Sequence, residues 1–307
     1  MTTELQHRPK GWWPEVAILT AALCFGSTFK LVQRAVEDIT PMAYVTGRFT
    51  IAAVVLAPIG WRHARKHPNY PWRRFVRASL VSGAFLAAGY VLQTEGLRHT
   101  SASTSAFITG LSTIFVPLIL GIGTRSWPSR NVMLGVVVAI VGLWLLTSAS
   151  VKLGKGELLT LGCAVAYAFW LVTQQVHVRA LGAMPFAAGQ MMVVALGTAP
   201  FTVMAGVGKL TSYALGSMFF TAIACASLAV SLQLWAQRYL GSSRTALWLL
   251  TEPVFAGLVS WITGEPMGAA SLGGAGMILA GVAISELGNN DEEDDDDKRV
   301  ADTSTTH

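Results

Sequence analysis

Charge is what this chain has least of. Only 13% of its 307 residues are Asp, Glu, Lys or Arg, while 52% are apolar. A soluble domain carries about a quarter charged residues, so most of this chain is suited to a lipid solvent. The formal charge of +5 does not point to nucleic acid, because the basic residues sit in short loops and no soluble basic domain exists to carry them. Cysteine is scarce as well. Cys24, Cys163 and Cys225 lie far apart inside apolar stretches, with neither metal-ligand spacing nor a disulfide framework, and read as small hydrophobes. Aspartate is missing from the apolar stretches, and His177 is the only histidine bordering one. That leaves no paired aspartates and no His-carboxylate metal set for an intramembrane enzyme. Gly154-Lys155-Gly156 is too short for a phosphate loop. The reading therefore has no catalytic residue, metal or cofactor, and energy for any work must come from gradients, exchange or a partner.

What is present is a series of apolar runs of roughly 18 to 22 residues, the length that crosses ~30 Å of hydrocarbon at 1.5 Å per residue. Ten spans are expected near 14–36, 42–60, 78–97, 102–122, 130–147, 156–177, 185–205, 214–237, 243–262 and 268–287. The first run has no small-x-small cleavage site and continues into Gly26-Ser27-Thr28-Phe29-Lys30, so it is taken as a span and not as a signal peptide. Residues 1–13 form a polar, mildly basic segment, and residues 288–307 an acidic tail that reads as solvated and disordered. With the N-terminus inside, fifteen of the 22 Lys and Arg fall on the cytoplasmic side and four outside, and Lys30, Arg34 and Arg48 lie in spans. The basic loop Trp61 to Arg77 dominates that excess. The bias predicts both termini cytoplasmic, in a plasma membrane, which for a bacterium is the inner membrane.

The chain also resembles itself. Leu92, Gln93, Arg98, Ser103 and Ala106 recur as Leu232, Gln233, Arg238, Ser243 and Ala246 at an offset of 140. Gly135 and Gly142 recur as Gly274 and Gly281 at an offset of 139. Each half, 14–147 and 148–287, then carries five spans. An odd number makes the halves insert with opposite orientation, an architecture shared by many secondary transporters whose substrate sits between the halves near mid-membrane. The expected fold is all-α, with ten transmembrane helices as two inverted five-helix repeats. The glycines of the last span, Gly273, Gly274, Gly276 and Gly281, suit close helix contact.

Several motifs carry a resemblance to a known family. They are Phe25-Gly26-Ser27-Thr28-Phe29, Arg48, Gly89-Tyr90, Gln93 to Gly96, Thr100-Ser101-Ala102, Ile114-Phe115-Val116-Pro117, Leu250-Thr251-Glu252-Pro253-Val254-Phe255 and Gly264-Glu265. On these the chain, over about residues 13 to 287, resembles the EamA-like family of the drug/metabolite transporter superfamily. Phe25 departs from it, since the family often has tryptophan there. The resemblance implies ten helices in two inverted halves, a central cavity, and transport, often export, of a metabolite or drug.

Ionisable groups inside a membrane cost several kcal/mol unless paired or hydrated, so each is a candidate. Lys30, Arg48 and Glu95 share a depth. They form either a structural ion cluster or a site in which Lys30 and Arg48 hold a substrate carboxylate with Glu95 as counter-ion. Arg34 snorkels outward. Glu252 precedes Pro253, which bends the helix and frees a carbonyl, so the carboxylate there is either a structural hydrogen-bonding group or a proton carrier. Ser27, Tyr90, Gln93, Ser105, Thr109, Ser112, Gln174, Gln190, Ser231 and Gln233 form a polar set that either lines the cavity or hydrogen-bonds between helices. Trp170, Trp235 and Trp248 form either an aromatic floor to the cavity or lipid-facing packing. The functional expectation is a secondary active transporter of a small organic solute: an amino acid, a metabolite or a drug-like compound. Its partners are that solute, the lipid bilayer and, in the proton-coupled reading, protons. A non-transporting membrane subunit and an intramembrane enzyme are the rival readings.

Overall fold

The computed structural model describes residues 11–124, 129–147, 154–262 and 268–285. The acidic tail, and Trp127, Lys152, Gly264 and Glu265, lie outside the described residues. The described chain is helical: α1 (Trp13–Gly26), α2 (Phe29–Asp38), α3 (Pro41–Arg65), α4 (Trp72–Gly96), α5 (Ala102–Gly110), α6 (Ser112–Thr124), α7 (Arg130–Thr147), α8 (Lys155–Leu181), α9 (Ala183–Ala205) and α10 (Ser212–Thr221). A π-helical stretch (Ala222–Ala229) leads into α11 (Val230–Leu249), and α12 (Glu252–Ile262) and α13 (Ala269–Ser285) complete the chain. Seven helical segments among the described residues are long and apolar enough to cross a membrane. One of them, Ser212–Val259, runs to 48 residues and covers two expected spans. Arg130–Leu146 and Ala269–Ser285 are shorter apolar helices.

Three expected spans are broken where a single helix was anticipated. The stretch 14–36 divides at Ser27 and Thr28, whose hydroxyls donate to the carbonyls of Cys24 (2.8 Å) and Phe25 (2.7 Å). Short hydroxyl side chains that bond nearby carbonyls offer the backbone an alternative to its helical ladder. Thr251 does the same between α11 and α12, donating to Trp248 O at 2.7 Å. Pro253 therefore lies in the first turn of α12, where its missing N–H costs nothing. The expected bend at this proline is a full break. The breaks of α1/α2 and α11/α12 meet: a Cβ on Gly26 would overlap the carbonyl oxygen of Glu252.

The third break, between α5 and α6, has the same backbone pattern as the break 140 residues on. Leu111 N bonds Ile108 O, and Ile114 N and Phe115 N bond Leu111 O. Likewise Thr251 N bonds Trp248 O, and Val254 N and Phe255 N bond Thr251 O. The expected eighth and ninth spans join within α11 at Gly241, which takes φ +75°, a conformation that favours glycine.

Packing relies on small residues. Ala21, Ala52, Ala168, Ala187, Ala226 and Ala229 are buried, most of them fully, and small side chains let helix backbones approach where lipid offers no hydrophobic drive between helices. Val54, Leu196, Val203, Phe219 and Ile262 are exposed and supply an apolar surface.

The dominant pairings are α3 with α9, α4 with α8, and α1 with α11. Thr46 bonds Thr198 (2.8 Å) near the start of α3, and Gly60 lies against Ala188 and Met184 near its end, so α3 and α9 run antiparallel. The same holds for α7 and α13: a Cβ on Gly135 would meet Gly281 O at 2.5 Å, and one on Gly142 would meet Gly274 O at 2.6 Å. Gly273 and Gly276, by contrast, have nothing within 4 Å of a built Cβ. Close contact was expected of all four glycines and belongs to two.

Two ends of the bundle can be told apart. At the near face, Tyr70 OH donates to Leu181 O (2.9 Å) and Arg74 to Val176 O (2.9 Å), tying the start of α4 to the end of α8. At the far face, Thr100 donates to Glu157 (2.6 Å), tying the end of α4 to the start of α8.

Candidate functional site

A cavity runs from mid-bundle toward the far face, bounded by α1 to α6, α8 and the α11/α12 break. Its walls enclose about 890 Å³ including the mouth, of which the centre of a water molecule reaches about 90 Å³. That is room for several waters or one compact solute.

Eight of the expected site residues line it: Arg48, Tyr90, Gln93, Thr109, Ser112, Trp170, Gln233 and Glu252. Arg48 projects from α3 and is only 4% exposed. Its guanidinium lies over the rings of Tyr90 (4.7 Å) and Phe49 (5.6 Å), and Nη2 approaches Tyr90 OH at 3.4 Å. Its Nε is buried without a hydrogen-bond partner. Gln93 donates to Thr109 (3.2 Å) and accepts from Tyr167 OH (3.4 Å), linking α4, α5 and α8 across the cavity wall. Glu252 opens α12 at the break. It lines the same cavity as Arg48, and no ion pair joins the two among the described residues.

The floor is a hydrogen-bonded set. Trp170 Nε1 donates to Gln190 Oε1 at 2.5 Å, and Gln174 and Ser82 donate to the same oxygen at 3.3 and 3.2 Å. Gln233 donates to Gln174 Oε1 at 3.1 Å. Gln174 and Gln190 are fully buried beneath the cavity and do not line it.

Other expectations fare differently. Lys30 is exposed and lies off the cavity. Glu95 sits in a far-face cluster with His99 (3.2 Å), Arg98 (3.5 Å) and Lys155 (3.8 Å). The expected grouping of Lys30, Arg48 and Glu95 is therefore not formed. Depth along a helix was legible from the sequence, but azimuth was not: Phe29 and Val32 turn to the cavity and Lys30 does not, just as Gln93, Thr94 and Leu97 do and Glu95 does not. Ser27 spends its hydroxyl on Cys24 O. Trp248 and Trp235 pack against the core, and the aromatic lining falls to Trp170 with Tyr167, Phe25 and Phe29. Ser112 lines the cavity, whereas the buried Ser105 and Ser231 do not. Sequence reasoning missed Tyr167, Thr113 and the face Phe25, Phe29, Val32, whose spacing of four and three was the available signal. Arg244, at the edge of the expected span 243–262 and counted with the cytoplasmic-side basic residues, is buried in α11 and pairs with buried Glu15 at 3.5 Å.

The profile of the EamA-like transporter family matches residues 12–148 and again residues 154–287. A protein of Archaeoglobus fulgidus named as an uncharacterized transporter is 28% identical over 282 residues, covering 91% of this chain and 87% of that one. The uncharacterized transporter YyaM of Bacillus subtilis is 23% identical over 290 residues, covering 87% and 91%. A solved crystal structure superposes with a TM-score of 0.74 at 16% identity, covering 89% of this chain and 96% of the other, a likeness of fold. With apolar helices long enough to cross a bilayer and two family matches that together span most of its length, the chain is a multi-pass membrane protein and belongs to the EamA-like transporter family.

Proposed function

We propose that this transporter is a secondary active carrier, working by alternating access, for a small organic solute that bears a carboxylate. The reading takes the chain as ten crossings in two inverted five-helix repeats, 14–147 and 148–287, with both termini cytoplasmic and the near face of the bundle facing the cytoplasm. The observation that carries it is the antiparallel contact of repeat-related glycines. Gly135 and Gly142 correspond to Gly274 and Gly281, yet Gly135 packs on Gly281 and Gly142 on Gly274. Corresponding helices that pack antiparallel are what an axis in the membrane plane generates. The matching backbone pattern at Leu111 and Thr251 supports the same symmetry.

The solute class rests on Arg48. A buried guanidinium whose Nε has no hydrogen-bond partner, and which forms no ion pair among the described residues, carries a desolvation cost that a bound carboxylate would offset. A carboxylate accepts from guanidinium in bidentate fashion, which is the strong form of that bond. Tyr167, Trp170, Phe25 and Phe29 suit an apolar or aromatic body on the same solute. Glu252, in a cavity wall at a helix break, is the group placed to exchange a proton with the solute path. The proposed direction is export across the bacterial inner membrane.

The test is reconstitution in liposomes with labelled amino acids, amines and other metabolites, with and without a pH gradient. Saturable counterflow of a carboxylate-bearing solute is expected. Absence of counterflow for every solute would favour a non-transporting subunit.

A further inference from the structure

The two halves can be aligned residue by residue beyond the repeats already named. Glu15, Met42, Gly47 and Arg48 correspond to Glu157, Met184, Gly189 and Gln190 at a constant offset of 142. The two family matches start 142 residues apart, at 12 and 154. The offset of 140 found for Leu92 to Ala106 then relates α4 to α11, while 142 relates α1/α2 to α8.

This alignment exposes an asymmetry. Below the cavity α8 and α11 are held together by three bonds: Gln233 Nε2 to Gln174 Oε1 (3.1 Å), Gln237 Nε2 to Leu171 O (2.6 Å) and Arg179 Nε to Arg238 O (3.0 Å). This ladder of bonds ties the cavity wall at Leu171 and Gln233 to the near-face ends of the two helices. The corresponding residues in the other half are Val32 for Gln174, Phe29 for Leu171, Glu37 for Arg179, Gln93 for Gln233, Leu97 for Gln237 and Arg98 for Arg238. Phe29, Val32, Gln93 and Leu97 all line the cavity. Glu37 is exposed, and Arg98 reaches back to Glu95 at 3.5 Å. α2 meets α4 only sparsely, whereas α8 packs closely on α11. In one half the facing surfaces are bonded to each other and only Leu171 and Gln233 reach the cavity; in the other all four corresponding residues, Phe29, Val32, Gln93 and Leu97, line it.

We infer that the α8–α11 ladder is the near-face gate, and that the far-face gate forms in the alternate state when α2 closes on α4, bringing Phe29 and Val32 onto Leu97 and Gln93, and Glu37 onto Arg98. The two gates have different chemistry. The near one is three neutral-acceptor hydrogen bonds around buried glutamines. The far one is an apolar contact capped by an ion pair at the surface, where salt screens it. Closure of the far gate requires Arg98 to exchange Glu95 for Glu37, and opening of the near gate requires Gln237 to release Leu171 O. In a two-state protein the gates are reciprocal: weakening one populates the closed form of the other.

The inference rests on the inverted-repeat reading of the preceding section, and its test does not require transport. Two cysteine pairs are made in the full chain with Cys24, Cys163 and Cys225 replaced by alanine: Glu37→Cys with Arg98→Cys at the far face, and Arg179→Cys with Arg238→Cys at the near face. Cross-linking by a short bifunctional thiol reagent is measured in membranes, with and without Gln237→Leu and Gln174→Leu. In the parent the near pair is expected to link and the far pair to link weakly. Removing two ladder bonds, each worth on the order of a factor of five, is expected to raise far-pair linking by up to about 25-fold and to lower near-pair linking. Far-pair linking that stays flat, or both pairs rising together, overturns the inference. If the leucine variants do not fold, the reverse arm decides. Linking the far pair permanently must raise labelling of a single Gln237→Cys by a small thiol reagent, and unchanged labelling overturns the inference equally. Reciprocal gating in a protein without counterflow would retain the gates and remove the transport reading. Counterflow without reciprocity would do the opposite.

Discussion

The guanidinium of Arg48 lies 4.7 Å from the centre of the Tyr90 ring, and its Nε, buried, has no hydrogen-bond partner. The aromatic faces of Tyr90 and Phe49 offset part of the cost of the buried charge. They also fix the plane of the fork, so that its remaining donors stay directed. Arg48→Lys keeps the charge but loses the planar fork and the stacking. A tenfold or greater loss of apparent affinity is expected, about 1.4 kcal/mol or more. Tyr90→Phe keeps the ring and loses only a long hydroxyl contact, and is expected to change affinity less than threefold. Concentration dependence of counterflow checks both.

Glu252 separates coupling from binding. Glu252→Gln keeps the shape of the side chain and cannot exchange a proton. Counterflow, which needs no gradient, is expected to continue in this variant, while accumulation driven by a pH gradient is expected to vanish. Accumulation that persists at normal expression would remove Glu252 from coupling.

The glycines of α13 make a contrast on one helix. Gly274→Leu drives a side chain into the backbone of α7 at Gly142 and Leu146. It is expected to cost several kcal/mol, above the usual ~1–3 kcal/mol of overpacking, because the obstacle is backbone. Gly276→Leu enters open space, and is expected to be neutral or slightly stabilising through helix propensity. Thermal melting of the detergent-solubilised protein, followed by size exclusion, measures both.

Tyr70, in the turn between α3 and α4, donates to Leu181 O, and burial pushes its phenol up to about 12. The unfolded phenol titrates near 10. Its contribution to stability is therefore fully present below pH ~10 and is lost as the pH rises from there toward about 12. In Tyr70→Phe the alkaline loss of stability over that window should shrink. Melting temperature against pH from 8 to 12 shows it.

Much of this was legible in the chain. Apolar run lengths located the seven described segments that are long enough to cross a bilayer, because crossing fixes a length. Gly135, Gly142, Gly274 and Gly281 stand out in the sequence at one offset, and all four lie against backbone where few other residues fit. The breaks at Ser27 and Thr251 were not read, since a hydroxyl bonding its i−3 carbonyl looks, in sequence, like any polar residue in a span. Lys30 and Glu95 were misplaced around their helices for a similar reason. Composition gives depth, whereas which face turns inward is decided by neighbours such as Phe29, Val32 and Leu97. The Glu15–Arg244 pair was hidden because the sequence places the two residues 229 positions apart.

The most direct measurement is counterflow in proteoliposomes with matched solutes: amino and organic acids, each beside its amide or methyl ester. The account predicts saturable counterflow for at least one free acid, loss of at least tenfold in its neutral analogue, and abolition in Arg48→Ala at unchanged folding. Equal transport of acid and ester, or counterflow indifferent to Arg48, would contradict it.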